Sequence, residues 1–213
     1  MINELFLSEN EISVFLEILS SYTRASNRNL VKCLKIRTVT LDSLNIKNVP
    51  FLVLANGERI NNCFDIATFI CSITGQKDNL FGLESRSIEK HLLFFSDLEN
   101  SSDRLQFLNS VLEYNSFCNA YHITVSDLFA LALVMKDLSK MKDEDKVKLS
   151  NVFRWALHLQ SLDGLSEQLS KLKFNICPPI KFFFLTNDAL PEDQKSKDKK
   201  DKKGCKEDQK EKK

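Results

Sequence analysis

The stretch VPFLVLANGERIN, residues 49–61, sets two apolar runs on either side of Asn56-Gly57. Asn-Gly between such runs is a strong hairpin signal, because both central residues tolerate the positive φ that a tight turn demands. The flanking segments extend the pattern. Upstream, NELFLS (3–8) reads as a short strand, and ISVFLEILSSY (12–22) puts Val14, Phe15, Ile18 and Leu19 on one helical face. CLKIRTVT (33–40) alternates Leu34, Ile36 and Val39 loosely with polar residues, as a strand does. Downstream, CFDIATFICSITG (63–75) spaces Ile66, Ala67, Ile70 and Ile73 helically, with Gly75 as its C-cap. The order is β-α-β, then β-β-α, within residues 1–76.

Past the polar connection QKDNLFGLESRS the period becomes helical throughout. Ile88, Leu92, Phe95 and Leu98 mark a helix over 85–100, and Leu105, Leu108, Val111 and Leu112 mark another over 103–117. ITVSDLFALALVMKDL (123–138) opens with Thr124-x-x-Asp127, a capping-box spacing, and is apolar on all sides, so it is expected to be central and buried. NVFRWALHLQSL (151–162) and GLSEQLSKL (164–172) follow. Only four prolines and five glycines, with 16 phenylalanines, suit packed helices. The fold class expected is α+β, mostly helical, with a helical domain over 84–180.

From about residue 187 the composition loses its apolar content and cannot offset the entropy of ordering, so 187–213 is expected to be a disordered tail. Residues 195–213 hold ten lysines against five acids. Lys199, Lys200, Lys202 and Lys203 are the candidate RNA contacts, weak and salt-sensitive because no aromatic residue is there to stack on bases.

Several function classes fall away. The six cysteines form no CxxC pair and share no ligand spacing with the histidines at 91, 122 and 158, so no metal or cofactor is expected. MINELFLSENE lacks a basic n-region and an apolar h-region, and the longest apolar run, LFALALVM (128–135), is too short to span a bilayer. A cytoplasmic location is the expectation, with no membrane attachment. Without a P-loop or an ATP-binding motif, aminoacylation by this chain is not expected.

A thioredoxin-like βαβ-ββα unit followed by a helical bundle resembles the glutathione transferase architecture, and three motifs carry that resemblance across roughly residues 1–175. Val49-Pro50 before a strand is similar to the family's Val-Pro, whose proline is cis. Thr124-x-x-Asp127 is similar to the capping box that starts the family's core helix. Asn151 to Gln160 is similar to the NVxRWFxHIQ segment of transferase-like domains in translation proteins: auxiliary proteins of the multi-aminoacyl-tRNA synthetase complex, methionyl-tRNA synthetase appendages and elongation factor 1 subunits.

The resemblance implies where glutathione would bind. Its γ-glutamyl carboxylate is usually held by a Glu/Gln-Ser pair at a helix start, where the helix amides help to grip it. Aligning from Gly57 puts Asn62-Cys63 at that pair and Asp65 where alanine is common. The hydroxyl has become a thiol and a negative charge is added, so glutathione binding is expected to be poor. Ser8, the hydroxyl left after the first strand, is followed by Glu9, which disfavours a nearby thiolate. With Pro50 these residues make a vestigial site, and a non-catalytic derivative is the expectation.

Helical spacing makes Val152, Trp155, Ala156 and Leu159 core residues. Arg154 and His158 then lie i, i+4 on a neighbouring face, either as a solvated surface or salt-bridged, or as a partner interface with Phe153 and Leu157 as its apolar part. The resemblance implies the interface, and that Arg154→Ala weakens partner capture while sparing the fold. Partners would be aminoacyl-tRNA synthetases or other transferase-like domains, with a homodimer as a further pairing. An active glutathione transferase and an elongation factor 1 subunit are the competing readings.

Overall fold

The structure is a computed structural model, and it describes residues 2–26, 33–39, 49–82, 90, 93–95, 97–98, 100–119 and 121–176. The four candidate RNA-contacting lysines and the rest of the expected tail lie outside the described residues. The described residues all lie within one compact unit.

The sheet has the order β2-β1-β3-β4. Strand β1 (Asn3–Leu7) is followed by helix α1 (Glu11–Ser26), and β2 (Leu34–Thr38) returns parallel to β1 with Asn3 opposite Leu34. β3 (Phe51–Val53) runs antiparallel to β1, with Leu5 opposite Leu52, and β4 (Arg59–Ile60) runs antiparallel to β3. The hairpin forms where Asn56-Gly57 predicts it, but the turn differs. Gly57 alone takes a positive φ (89°), Asn56 does not, and the loop is the three residues between Leu54 and Glu58. Gly57 N donates to Leu54 O, and the Asn56 side chain spends its Oδ1 on Glu58 N. This is a type I turn followed by a left-handed glycine, in which Asn56 is used for its acceptor.

Helix α2 (Cys63–Ile73) follows, and the close of this helix is a Schellman motif. Thr74 is the C-cap and Gly75 stands one position beyond, at φ 68°; Gly75 N reaches Ser72 O and Gln76 N reaches Cys71 O. The connection read as polar contains a short helix, α3 (Lys77–Phe81), which buries Leu80 and Phe81. Of the helix expected over 85–100, residues 90, 93–95 and 97 are helical and most others lie outside the described residues.

The helix expected over 103–117 is shorter, α4 (Ser101–Val111), and the described residues between it and Thr124 are not helical. Helix α5 (Val125–Lys140) is buried at every position from Val125 to Met135, as its all-round apolar sequence demands. A helix absent from the sequence reading, α6 (Asp143–Lys148), buries no residue and so leaves no apolar period to detect. Then come α7 (Ser150–Ser161) and α8 (Ser166–Lys171). One cluster of buried side chains runs from Leu5 and Leu52 in the sheet, through Phe15 and Ile18, to Leu131 and Trp155. Phe15 meets Phe129 edge-on at 5.2 Å, so α1 packs directly on α5. Among the described residues no helix is long and apolar enough to cross a membrane.

Candidate functional site

The corner at the end of β1 is held by an asparagine that the sequence reading passed over. Asn10 precedes α1, accepts Ser13 N on Oδ1 at 2.7 Å as a helix cap does, and donates Nδ2 to Val49 O at 3.3 Å. It thereby ties the start of α1 to the Val49-Pro50 peptide, which is cis. Ser8 lies in the same corner but is nearly buried, its amide donating to Ser13 Oγ at 2.9 Å and the two hydroxyls 3.3 Å apart. An asparagine just before an amphipathic run is a cap signal legible in sequence.

Asn62 and Cys63 stand at the start of α2. Asn62 is its N-cap, with Oδ1 accepting Phe64 N at 2.8 Å and Asp65 N at 3.4 Å. The amides a ligand carboxylate would need are thus taken by the chain's own side chain, and the Asp65 carboxylate adds a like charge in the first turn. Burial pushes the Cys63 thiol up to about 12. The usual activation of a helix N-terminal thiol is overridden by desolvation. Among the described residues no hydrogen bond joins Asn62 or Cys63 to Ser8 or Pro50, so the vestigial residues fall into two clusters, Ser8 at the β1–α1 corner and Asn62-Cys63 at the start of α2.

Cys63 chemistry gives a direct expectation. With the folded thiol near 12 against about 8.5 for a free cysteine, the thiolate fraction at pH 8 falls roughly a thousandfold. Iodoacetamide should leave Cys63 unmodified while it alkylates the unfolded chain, and the folded-state rate should still rise between pH 8 and 10. Mass spectrometry of the Cys63 peptide checks this; a rate that levels off near pH 8 contradicts it.

The second constellation is on α7. Val152, Trp155, Ala156 and Leu159 are buried, as their spacing predicts. Phe153 is buried as well, at 1% exposure, so it belongs to the core and offers nothing to a partner. Five residues in a twelve-residue helix face inward, a stripe wider than the i, i+3, i+4, i+7 set that left Phe153 outside. Leu157 is half-buried; Arg154 and His158 are exposed. The His158 ring stands 5.6 Å from that of Phe117.

Among the described residues Arg154 has no salt-bridge partner, yet it is not idle. Its Nη2 donates to Leu112 O at 2.7 Å and Asn115 O at 3.1 Å, carbonyls at and beyond the end of α4. A guanidinium there satisfies orphan carbonyls and opposes the negative end of the helix dipole. Arg154→Ala therefore removes a helix cap, at about 1 kcal/mol or more, so it carries a stability cost beside any effect on partner capture.

Trp155 also does more than fill the core. Its Nε1 donates to Asp127 Oδ1 at 3.0 Å, and the same oxygen accepts Cys118 N at 2.8 Å. Asp127 Oδ2 accepts Thr124 N at 2.9 Å and the Thr124 hydroxyl at 2.8 Å. The carboxylate of the capping box thus joins the start of α5, the segment after α4 and the middle of α7. Among the described residues no group of three or more His, Cys, Asp or Glu could hold a metal ion.

No family model matches the chain. In sequence it is 25% identical over 138 residues to eukaryotic translation elongation factor 1 epsilon-1 of Cricetulus griseus, a match covering 60% of this chain and 79% of that protein. In structure it is similar to the GST-like domain of elongation factor 1-gamma from Saccharomyces cerevisiae, with a TM-score of 0.60 at 13% identity, covering 84% of this chain and 99% of that one. The fold is that of the glutathione transferases. A glutathione S-transferase of Drosophila melanogaster, isozyme E7, matches it with a TM-score of 0.62 at 18% identity, over 79% of this chain and 91% of that one. Within this transferase fold, the Asn62 corner corresponds to the start of the helix that follows the ββ hairpin, and α5 is the central helix of the bundle.

Proposed function

We propose that the chain is a non-catalytic transferase-like interaction module of the translation machinery. It docks aminoacyl-tRNA synthetases or related transferase-like domains in a multi-synthetase assembly, and its lysine-rich tail assists tRNA binding by charge. A cytoplasmic location goes with that role. The observation that carries this reading is that both clusters are occupied by the chain itself: Asn62 holds the α2 amides, Ser8 is bonded to Ser13, and burial keeps Cys63 a thiol. The likeness to an elongation factor subunit supports translation as the setting.

The surface offers docking features in place of a ligand grip. Tyr114 and Tyr121, on the segment that Arg154 holds, are 86% and 96% exposed. Tyrosine and arginine are enriched at interfaces because they combine large contact area with a polar handle. We read these tyrosines with the exposed Arg154 and His158 as the docking ridge, suited to an apolar partner face bearing a few carboxylates.

Affinity capture with the full chain tests both halves. Synthetases should co-purify; Tyr121→Ala with Tyr114→Ala should weaken capture about tenfold without changing thermal stability. Removing residues 187–213 should keep the synthetases and release bound tRNA, with a steep loss on raising salt. Retention on glutathione-agarose together with conjugating activity would favour the competing reading of an active transferase.

A further inference from the structure

Where α4 and α7 meet, α7 has no side-chain cap of its own and α4 has no cation of its own at its C-terminal end. Leu149, before α7, has no side-chain acceptor for the first amides, and the last turn of α4 holds no basic residue for its carbonyls. Each helix supplies what the other lacks. Asn109 of α4 turns Oδ1 to α7 and accepts from Asn151 N at 3.2 Å and Val152 N at 3.4 Å, while Asn151 Nδ2 donates back to Asn109 O at 3.3 Å. From α7, Arg154 reaches the opposite way to Leu112 O and Asn115 O.

We infer that Asn109 is the positioning residue of the docking ridge, fixing the start of α7 and through it the placement of Arg154 and His158. The functional meaning rests on the docking role proposed above; the lock itself is a matter of geometry. Arg154 lies three residues past Asn151, and a helix advances about 1.5 Å and 100° per residue as a stiff rod, so any slide or rotation at its start moves the guanidinium by a comparable amount. Bonds at two separate places along α7 fix its translation and its rotation together. Asn109 also lines an open cleft of about 620 Å³ with Leu105, Met141 and Leu149. Water entering from that cleft can solvate the freed amides when the side chain is removed, so the helix survives while its register is no longer specified.

Asn109→Ala and Asn109→Asp separate this role from general stability. The aspartate keeps the acceptor, and its charge suits the start of α7 though not the last turn of α4, so it should hold the indole resonance and bind the probe far better than the alanine variant does. Trp155 is the only tryptophan, which makes its indole Nε1–H resonance a single reporter of where α7 stands relative to Asp127. Asn109→Ala should shift and broaden that resonance and weaken binding to a purified transferase-like domain of an aminoacyl-tRNA synthetase by about tenfold. Gly75→Ala is the control: it strains a φ of 68° with open space around the new Cβ, in the sheet half, and should bind the probe as wild type does. An unmoved indole resonance in Asn109→Ala overturns the inference, as does equal weakening by Asn109→Ala and Gly75→Ala. If the wild-type chain does not bind the probe at all, the docking role fails, and the resonance alone still decides the lock.

Discussion

Replacing Asp127 with alanine should lower the unfolding free energy by about 4 kcal/mol or more. The carboxylate is fully buried and accepts from Thr124 N, the Thr124 hydroxyl, Cys118 N and Trp155 Nε1. Alanine leaves the Cys118 amide and the indole N–H without a partner in the interior, at about 1–3 kcal/mol for each orphaned donor, and removes part of the α5 cap at about 1 kcal/mol. A domain of this size has about 5–15 kcal/mol in all, and loses roughly 2–4 °C of midpoint per kcal/mol, so the melting temperature should fall by about 10 °C or more. Asp127→Asn should cost less, because one oxygen still accepts while its new N–H₂ faces the Thr124 donors. The decisive measurement is a double-mutant cycle with Trp155→Phe, followed by circular dichroism because that variant removes the only tryptophan. Phenylalanine needs no acceptor, so the double variant should be less damaged than the two single losses added, by about 1 kcal/mol. Additive losses, or a single Asp127→Ala effect below about 1 kcal/mol, would show that the buried network holds nothing together.

That network shows how far the sequence could be read. The Thr124-x-x-Asp127 spacing locates a helix start, and the helical period places Trp155 inside, because capping and burial are local properties visible in one segment. The bond between them joins residues 28 apart, and no period or propensity encodes which buried donor a buried acceptor will find. The same holds for Arg154. Its exposed face is legible, whereas its carbonyl partners depend on where α4 ends, and α4 ends earlier than its apolar spacing suggests. Leu112 continues the period and is buried, but as the C-cap of α4, so burial outlasts the helix by a residue. At the ligand corner the residue types themselves are informative: an asparagine before Cys63 is a strong cap, and a cap occupies the amides an anion would use. Only the extent of Cys63 burial needed the fold.

Gly164→Ala should lower the unfolding free energy by about 3 kcal/mol. Gly164 follows α7 at φ 82°, where an alanine costs about 1–2 kcal/mol for its left-handed backbone alone. Space adds to the penalty. A Cβ built there stands 2.4 Å from Ala25 Cβ and 3.3 Å from Tyr22 Cα, both on α1, so backbone must move. Forcing an extra methyl into such a contact costs about 1–3 kcal/mol. The close approach is held from the other side by Ser21, whose hydroxyl donates to Gly164 O at 3.0 Å across 143 residues of chain. The two costs can be told apart: Ala25→Gly removes the methyl that Gly164→Ala would strike but leaves the φ strain. The double variant should therefore recover roughly half the loss in urea denaturation, less the small helix penalty of a glycine near the end of α1. Full recovery would mean that the φ at 164 is not strained. No recovery would mean that α1 and the α7–α8 turn already move apart freely, and that the sheet half and the helical half are not fastened at this point.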